Sequence, residues 1–186
     1  STAEAYAKSA FETLGAHCIT LSPYLGRDSI EPFIQNSERG VFLLCKTSNA
    51  GSGDLQDVMV VGADLRVRPD QGDHVGSPLP LYEYVAHLAQ SWNTKNNIGL
   101  VVGATHVDAL KRVRAAAPGL WFLAPGVGTQ GGELESTLKS GLRKDGIGLL
   151  IPISRSIARA ESPAKAAAEI RDQIVNIKRD LNREEN

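Results

Sequence analysis

The run APGVGTQGGE, residues 124–133, joins an apolar stretch, residues 119–123, to a segment with helical spacing, residues 133–146. Because glycine has no Cβ, the backbone N–H groups of a glycine-rich loop can converge on an anion, and the helix that follows presents the positive end of its dipole. The run therefore predicts an anion site between a buried strand and a helix. The alternative is a tight turn that holds no ligand. The glycines of the run are residues 126, 128, 131 and 132.

Two side chains are candidates to complete this anion site. Gln130 lies inside the run and offers an amide donor. Arg155 follows the next predicted strand and offers a planar fork of N–H donors that suits phosphate oxygens. For Arg155 the alternative is an ion pair at the surface. A glycine-rich loop is weak evidence alone, but an arginine one strand later strengthens it, and together they predict a phosphate site.

The rest of the chain repeats the order of a short apolar strand and a helix. Each predicted strand is a continuous apolar run and not an alternating one. Continuous runs are typical of strands that are buried on both faces of a parallel sheet covered by helices, so the predicted fold class is α/β. The predicted strands fall within residues 16–26, 40–49, 97–105, 119–128 and 148–156, and the predicted helices within residues 1–15, 27–40, 81–93, 107–119, 133–146 and 162–186.

Local signals mark where the first two helices begin. Ser1 followed three residues later by Glu4 predicts a capping box. In the second helix Asp28 or Ser29 is the predicted cap, and Pro32 is tolerated because it would lie in the first turn.

The ends of the strands decide between two α/β architectures. Polar or glycine-rich residues follow most strands; a barrel would place all of them around one mouth, whereas a doubly wound sheet needs them only near its switch point. We therefore predict a (β/α)8 TIM-type barrel with about its last five βα units in this chain and three strands before it. Residues 1–186 form one predicted domain, with 58–80 as an inserted loop or hairpin. The polar residues at the strand ends are Ser22, 46–49, Gly103, Thr105, 124–133, Ser154 and Arg155.

Composition and charge exclude several classes of protein. The chain has 186 residues and a formal net charge of -1, so no basic field favours nucleic acid as a partner. No apolar run approaches the roughly 20 residues of a membrane span, and no N-terminal signal pattern is seen. Cys18 and Cys45 lie in apolar runs and are predicted to be buried thiols of a cytoplasmic protein. Without a CxxC pair or paired histidines, no metal site is predicted.

Several motifs together point to one family. PGVGTQGGE followed by SRSI resembles the phosphate-binding end of orotidine 5'-monophosphate decarboxylases. SPYLGRDSIEPF and VFLLCKTSNAGSGDLQ resemble the longer subgroup of that family, found in many bacteria and in some parasite fused UMP synthases, and GLVVGAT and LWFLAPGVG fit as well. The resemblance covers almost the whole chain except residues 58–80. SNAGS departs from the commoner SNPGS of the subgroup, which affects only the shape of that loop.

The resemblance implies an activity and its partners. It implies a homodimeric barrel with the active site at the subunit interface. That enzyme decarboxylates orotidine 5'-monophosphate to UMP and CO2 in pyrimidine biosynthesis and needs no cofactor. An orotate phosphoribosyltransferase would be either fused to the protein or separate.

The resemblance also implies the ligands of the phosphate. Gln130 and Arg155 match the side chains that bind it, and backbone amides near Gly131 and Ser154 assist them.

The other implied contacts are with the base and the ribose. Pro125 and Val127 would line the pyrimidine pocket, and Ser48 would read the edge of the base through its side chain and backbone. Thr2 matches a threonine that reaches the ribose hydroxyls of the nucleotide in the partner subunit.

The catalytic motif of the family is the one departure that matters. Its aspartate-x-lysine-x-x-aspartate pattern would stand just before Ser1 and is absent from these 186 residues. The family chemistry needs that lysine to protonate the carbanion at C6, and the aspartates to stress the substrate carboxylate and keep the lysine charged. Lys46 and Asp54 lie near the predicted mouth, but nothing places them as substitutes. For Lys46 an electrostatic role in the active site and a structural ion pair both stay open.

Our hypothesis is that the chain is the C-terminal portion of a decarboxylase, with no catalytic residue of its own. Two alternatives remain: another phosphate-binding barrel enzyme that acts on a sugar phosphate, and a catalytically empty nucleotide-binding fragment. Five βα units leave two open sheet edges, which complete barrels abolish, so the isolated chain is expected to be sticky or poorly folded.

Overall fold

The structure, a computed structural model, describes residues 1–61, 78–128 and 133–184. Strands and helices alternate along these ranges, as the apolar pattern predicts. The strands are β1 (Cys18–Leu21), β2 (Gly40–Lys46), β3 (Met59–Val60), β4 (Leu79–Pro80), β5 (Ile98–Val102), β6 (Trp121–Leu123) and β7 (Leu149–Leu150). The helices are α1 (Thr2–Lys8), α2 (Arg27–Ile34), α3 (Gly53–Gln56), α4 (Leu81–Trp92), α5 (Val107–Ala116), α6 (Leu134–Gly141), α7 (Arg155–Ala158) and α8 (Pro163–Glu184).

Five of the strands form one parallel sheet whose order follows the chain. The order is β1-β2-β5-β6-β7, and each of these strands pairs in parallel with the next. In a doubly wound sheet the order reverses at a switch point, whereas in a barrel every new strand is added on the same side. The sheet is therefore a stretch of barrel wall, and β1 and β7 each have one neighbour among the described strands.

The two faces of this wall differ in burial. Leu43, Leu100 and Phe122 share one face and are fully buried in the core, which lies between the sheet and helices α1, α2, α4 and α5. On the opposite face Leu44 is 36% exposed and Leu150 is 44% exposed. The prediction of burial on both faces is therefore wrong for β2 and β7, whereas β5 is buried at every position. The helices cover one face of the sheet, and the other face is turned towards the interior of the barrel.

The same difference separates the two cysteines. Cys18 is exposed on the edge strand β1, so the prediction of a buried thiol is wrong there. Cys45 is buried under α4, and its Sγ donates to the carbonyl oxygen of Tyr82 at 3.1 Å. Burial raises the pKa of the Cys45 thiol, so it stays protonated at neutral pH.

The predicted capping box is present, but the predicted start of α2 is wrong. The Ser1 hydroxyl accepts from the Glu4 backbone N–H at 3.3 Å, and the Glu4 side chain bonds back to the Ser1 nitrogen. Helix α2 begins at Arg27, directly after Gly26, whose φ of 90° turns the chain into the helix. Pro32 therefore lies in the second turn of α2 and not in the first.

The inserted segment is described only at its two ends. There β3 and β4 pair antiparallel, with Met59 opposite Pro80 and Val60 opposite Leu79. Residues 62–77 lie outside the described residues, so the expected hairpin or loop over 58–80 stays a prediction. The pairing shows that the insertion leaves and rejoins the fold at one place, beside α4.

One arginine joins several elements at the amino-terminal end of the wall. All five N–H groups of the Arg114 guanidinium donate to backbone carbonyl oxygens, at 2.7–3.1 Å. The guanidinium carbon also lies 3.6 Å from the centre of the Phe122 ring. Burial, aided by the charge of Arg143, lowers the pKa of Arg114 to about 10, so the group remains charged at neutral pH. The carbonyl acceptors belong to Ala117, Leu120, Gly141 and Gly148.

Candidate active site

The carboxyl ends of neighbouring strands are joined into one mouth, which we define as residues 46–57, 103–106, 124–128 and 151–155. The backbone N–H of Gly103 donates to the Lys46 carbonyl at 2.7 Å, and that of Ala104 donates to the Pro125 carbonyl at 2.8 Å. These bonds tie the segment after β5 to the end of β2 on one side and to the glycine run on the other. The predicted binding loops after β2 and β6 therefore flank the segment after β5.

Ser48 lies against the end of β5. A Cβ added to Gly103 would stand 2.9 Å from the Ser48 Cβ and 3.1 Å from its backbone nitrogen. Such distances are too short for real side chains, so only glycine at position 103 admits this approach. The structure thus places half-buried Ser48 at the mouth, as the sequence predicts.

The residue before Ser48 is held by hydrogen bonds to α3. The Thr47 backbone N–H donates to Gln56 Oε1 at 2.9 Å, and Gln56 Nε2 donates to the Thr47 hydroxyl at 2.9 Å. The Thr47 hydroxyl in turn donates to Asn49 Oδ1 at 2.6 Å. Gln56 is not predictable as a site residue from the sequence, because no local signal links it to a residue nine positions earlier.

Lys46 forms an ion pair with Asp57, as one of its two predicted roles requires, and its electrostatic role in the active site stays a prediction. A register shift between Leu44 and Lys46 marks a β-bulge, which re-aims the side chain. Lys46 is 3% exposed, and its Nζ lies 2.7 Å from Asp57 Oδ1 and 5.9 Å from the centre of the Tyr82 ring on α4. The ammonium also donates to the Ser52 hydroxyl at 3.3 Å. The bulge therefore directs this charge into the helix layer.

Asp57→Asn is expected to lower the free energy of unfolding by about 2 kcal/mol, because it leaves the buried Lys46 ammonium without a counter-charge. The side chain of Asp57 is 53% exposed, so solvent screening limits the loss. Lys46→Met removes the buried charge together with the pair and is expected to cost less than Asp57→Asn. Denaturant unfolding of both variants checks this, and a larger loss for Lys46→Met contradicts it.

The described part of the glycine run has the backbone that its glycines predict. Gly126 and Gly128 have φ of 106° and 80°, which side chains other than glycine rarely adopt. Val127 between them is 8% exposed, and Pro125 is half-buried. Gln130 and Gly131 lie outside the described residues, so their predicted phosphate contacts stay predictions.

Ser154 and Arg155 lie in the segment after β7, next to the glycine run that follows β6. Strands β6 and β7 pair in parallel, with Leu123 opposite Leu150, so the segments that follow both strands leave the same edge. Both residues are exposed where α7 begins. Thr2 lies elsewhere, exposed at the start of α1, which packs against α2 at the β1 end of the wall.

The described ranges hold neither a group of potential metal ligands nor a helix that could span a membrane. Within residues 1–61, 78–128 and 133–184, no three His, Cys, Asp or Glu side chains are grouped as a metal ion would need. None of the helices described there combines the length and the apolar character of a membrane span.

A family model named Orotidine 5'-phosphate decarboxylase / HUMPS family matches residues 1–170, which include the whole mouth. The chain belongs to this family. The orotidine 5'-phosphate decarboxylase of Roseiflexus castenholzii is 50% identical over 172 residues, which cover 92% of this chain and 58% of that protein. The resemblance to this family that the motifs indicate is confirmed.

Solved structures of the decarboxylase family share the fold. The structure titled as Leishmania donovani OMP decarboxylase is 49% identical, with a TM-score of 0.81, and the match covers 95% of this chain and 63% of that one. The Leishmania donovani UMP synthase is 52% identical, with a TM-score of 0.82, and the match covers 95% of this chain and 36% of that one. The prediction of a partial (β/α)8 barrel is confirmed. The chain spans about three-fifths of the length of its curated relatives.

Proposed function

We propose that the complete protein carrying residues 1–186 decarboxylates orotidine 5'-monophosphate to UMP and CO2, a step of pyrimidine biosynthesis. The observation that carries this proposal is the family match over residues 1–170, which spans every described segment of the mouth. Fold alone would not select this reaction, because barrels serve many chemistries.

The nucleotide phosphate is bound by the segments after β6 and β7. Barrels commonly bind phosphate with the loops of their last two strands, and these are the last two strands here. Arg155 supplies the charged donors, with the Ser154 amide beside it. Gln130 and the Gly131 amide belong to the same proposal, supported by the left-handed backbone of the glycines before them.

The pyrimidine is bound between the segments after β2 and β6. Val127 and Pro125 offer apolar surface to the ring, and Ser48 offers a hydroxyl and backbone groups to its polar edge. The hydrogen bonds from Gly103 and Ala104 hold these two segments on either side of the segment after β5, which supports a base that contacts both.

The proton transfer to C6 needs a lysine beside the base. No lysine of residues 1–186 is proposed for this role. Lys46 faces the helix layer and is paired with Asp57. We expect the catalytic lysine and aspartates in a segment that precedes Ser1 in the complete protein, where they would need no cofactor. The described residues then hold and orient the substrate, and the preceding segment performs the chemistry.

The assembly and location of the protein are part of the same proposal. Thr2 lies at the β1 end of the wall, away from the phosphate segments after β6 and β7, which suits a contact with the nucleotide of a second subunit in a homodimer. A UMP synthase among the solved relatives supports an orotate phosphoribosyltransferase partner, fused or separate. A cytoplasmic location is proposed with it.

The test follows orotidine 5'-monophosphate by ultraviolet absorbance with the complete protein and with residues 1–186 alone. Turnover by the complete protein and none by residues 1–186 is the expected result. Consumption of a ribulose or hexulose phosphate, with orotidine 5'-monophosphate left intact, would establish the sugar-phosphate alternative. Binding of UMP by the complete protein without turnover would establish an empty nucleotide binder.

A further inference from the structure

We propose that Gln56 is a positioning residue for pyrimidine selectivity: through Thr47 it fixes the segment that carries Ser48. This inference rests on the proposed function, because it assigns a task to the Ser48 contact with the base. Gln56 itself acts through its neighbours and needs no contact with the nucleotide.

The geometry around Thr47 is a closed set of hydrogen bonds. Gln56 forms two hydrogen bonds with Thr47. Its Oε1 accepts from the Thr47 backbone N–H and its Nε2 donates to the Thr47 hydroxyl, both at 2.9 Å. The hydroxyl is thereby left to donate to Asn49 at 2.6 Å. Ser48 stands between Thr47, which the Gln56 amide holds, and Asn49, which accepts from the Thr47 hydroxyl.

An ion pair adds a second interaction between the end of β2 and the end of α3. Lys46 and Thr47 at the end of β2 bind Asp57 and Gln56 respectively, so consecutive residues of one segment meet consecutive residues of the other. A single tie would leave the loop free to rotate about it, whereas two adjacent ties fix its orientation. The loop that carries Ser48 is thus bound to α3 and to the residue after it.

Gly103, at the end of β5, also contacts Ser48 closely. Its missing Cβ lets the backbone of Ser48 approach the end of β5, where an added Cβ would stand 2.9 Å from the Ser48 Cβ. Ser48 is therefore supported on two sides, by the end of β5 and by Thr47, which Gln56 holds. A short side chain such as serine cannot compensate for a displaced backbone, so selectivity depends on this support.

The test measures the affinities of UMP and ribose 5-phosphate by calorimetry for the complete protein and its variants. The ratio of the two affinities isolates the contribution of the base, because both ligands carry the same phosphate. Gln56→Met keeps the length of the side chain and removes both bonds to Thr47. It is expected to lower the ratio about tenfold while the affinity for ribose 5-phosphate stays within about twofold.

Gln90→Met is the matched control. Gln90 is also a half-buried glutamine, and its Oε1 accepts from the Gly119 backbone N–H at 3.1 Å, away from the mouth segments. This variant is expected to leave the ratio unchanged even where stability falls. If Gln56→Met does not fold, Thr47→Val replaces it, since this variant keeps the branched shape and removes the hydroxyl that links Gln56 to Asn49.

The outcomes separate this inference from the proposed function. A wild-type preference for UMP that neither Gln56→Met nor Thr47→Val reduces overturns the role of Gln56 and leaves the proposed function intact. An equal loss in Gln90→Met also overturns it, because the effect would then be general destabilisation. A wild-type protein without preference for UMP over ribose 5-phosphate overturns the proposed function and this inference with it.

Discussion

Arg114→Met is expected to lower the free energy of unfolding by about 4 kcal/mol, because each buried carbonyl that loses its donor costs about 1–3 kcal/mol. The guanidinium donates to carbonyls of four residues, and methionine offers none of these bonds while it retains apolar contact with the Phe122 ring. The loss is spread over the ends of α5 and α6 and the start of β7. Denaturant unfolding of the complete protein measures it.

Arg112→Met is the control for this prediction. Arg112 lies on the same helix and pairs with Glu83 at 2.6 Å, but its side chain is 51% exposed. Exposed ion pairs contribute at most about 1 kcal/mol, so this variant is expected to unfold almost as the wild type does. Arg114→Lys keeps the charge with fewer donors and should fall between the two. Equal losses for Arg112→Met and Arg114→Met contradict the account of Arg114.

Arg155→Ala is expected to weaken UMP binding by about 100-fold, because hydrogen bonds from a charged donor contribute about 1.5–3 kcal/mol each. The exposed guanidinium stands where the segment after β7 leaves the wall, beside the glycine run. Its removal takes away the charged donors of the proposed phosphate site. Titration of the complete protein with UMP measures the change.

Arg159→Ala controls for the loss of one positive charge in the same segment. Arg159 is also exposed, four residues further on, and its backbone N–H donates to the Arg155 carbonyl at 3.1 Å. It is expected to change UMP affinity by less than about threefold, since an exposed charge that makes no direct hydrogen bond to the phosphate acts only through a solvent-screened field. Equal effects of the two variants would show a diffuse charge effect, and an unchanged affinity in Arg155→Ala would remove the phosphate assignment.

Much of the fold follows from local patterns in the chain. The order of strands and helices, the capping box at Ser1 and the glycine run at 124–128 depend on neighbouring residues alone, and the structure confirms them. The same holds for the barrel, because polar strand ends and a glycine run followed by Arg155 are features of the sequence itself. These motifs also sufficed to indicate the family.

Other features depend on residues that are far apart in the chain. Arg114 has no special sequence signal, and its acceptors lie up to 34 residues away. Cys18 and Cys45 both stand in apolar runs, yet Cys18 lies on the more exposed face of the edge strand β1 and Cys45 on the face that the helices cover. The start of α2 was misplaced because the turn at Gly26 overrides the usual capping residues.

The class of fold, the family and the segments that meet at the mouth can be predicted from the amino-acid sequence, because periodicity, glycines and motifs are local features. The direction of the Lys46 side chain and the support of Ser48 are visible only in the folded chain. A bulge in β2 turns the Lys46 ammonium towards Asp57, and the pairing of Thr47 with Gln56 exists only once α3 folds back on the strand end. The direction of a side chain and the support of a loop are set by packing between segments, which no single stretch of sequence encodes.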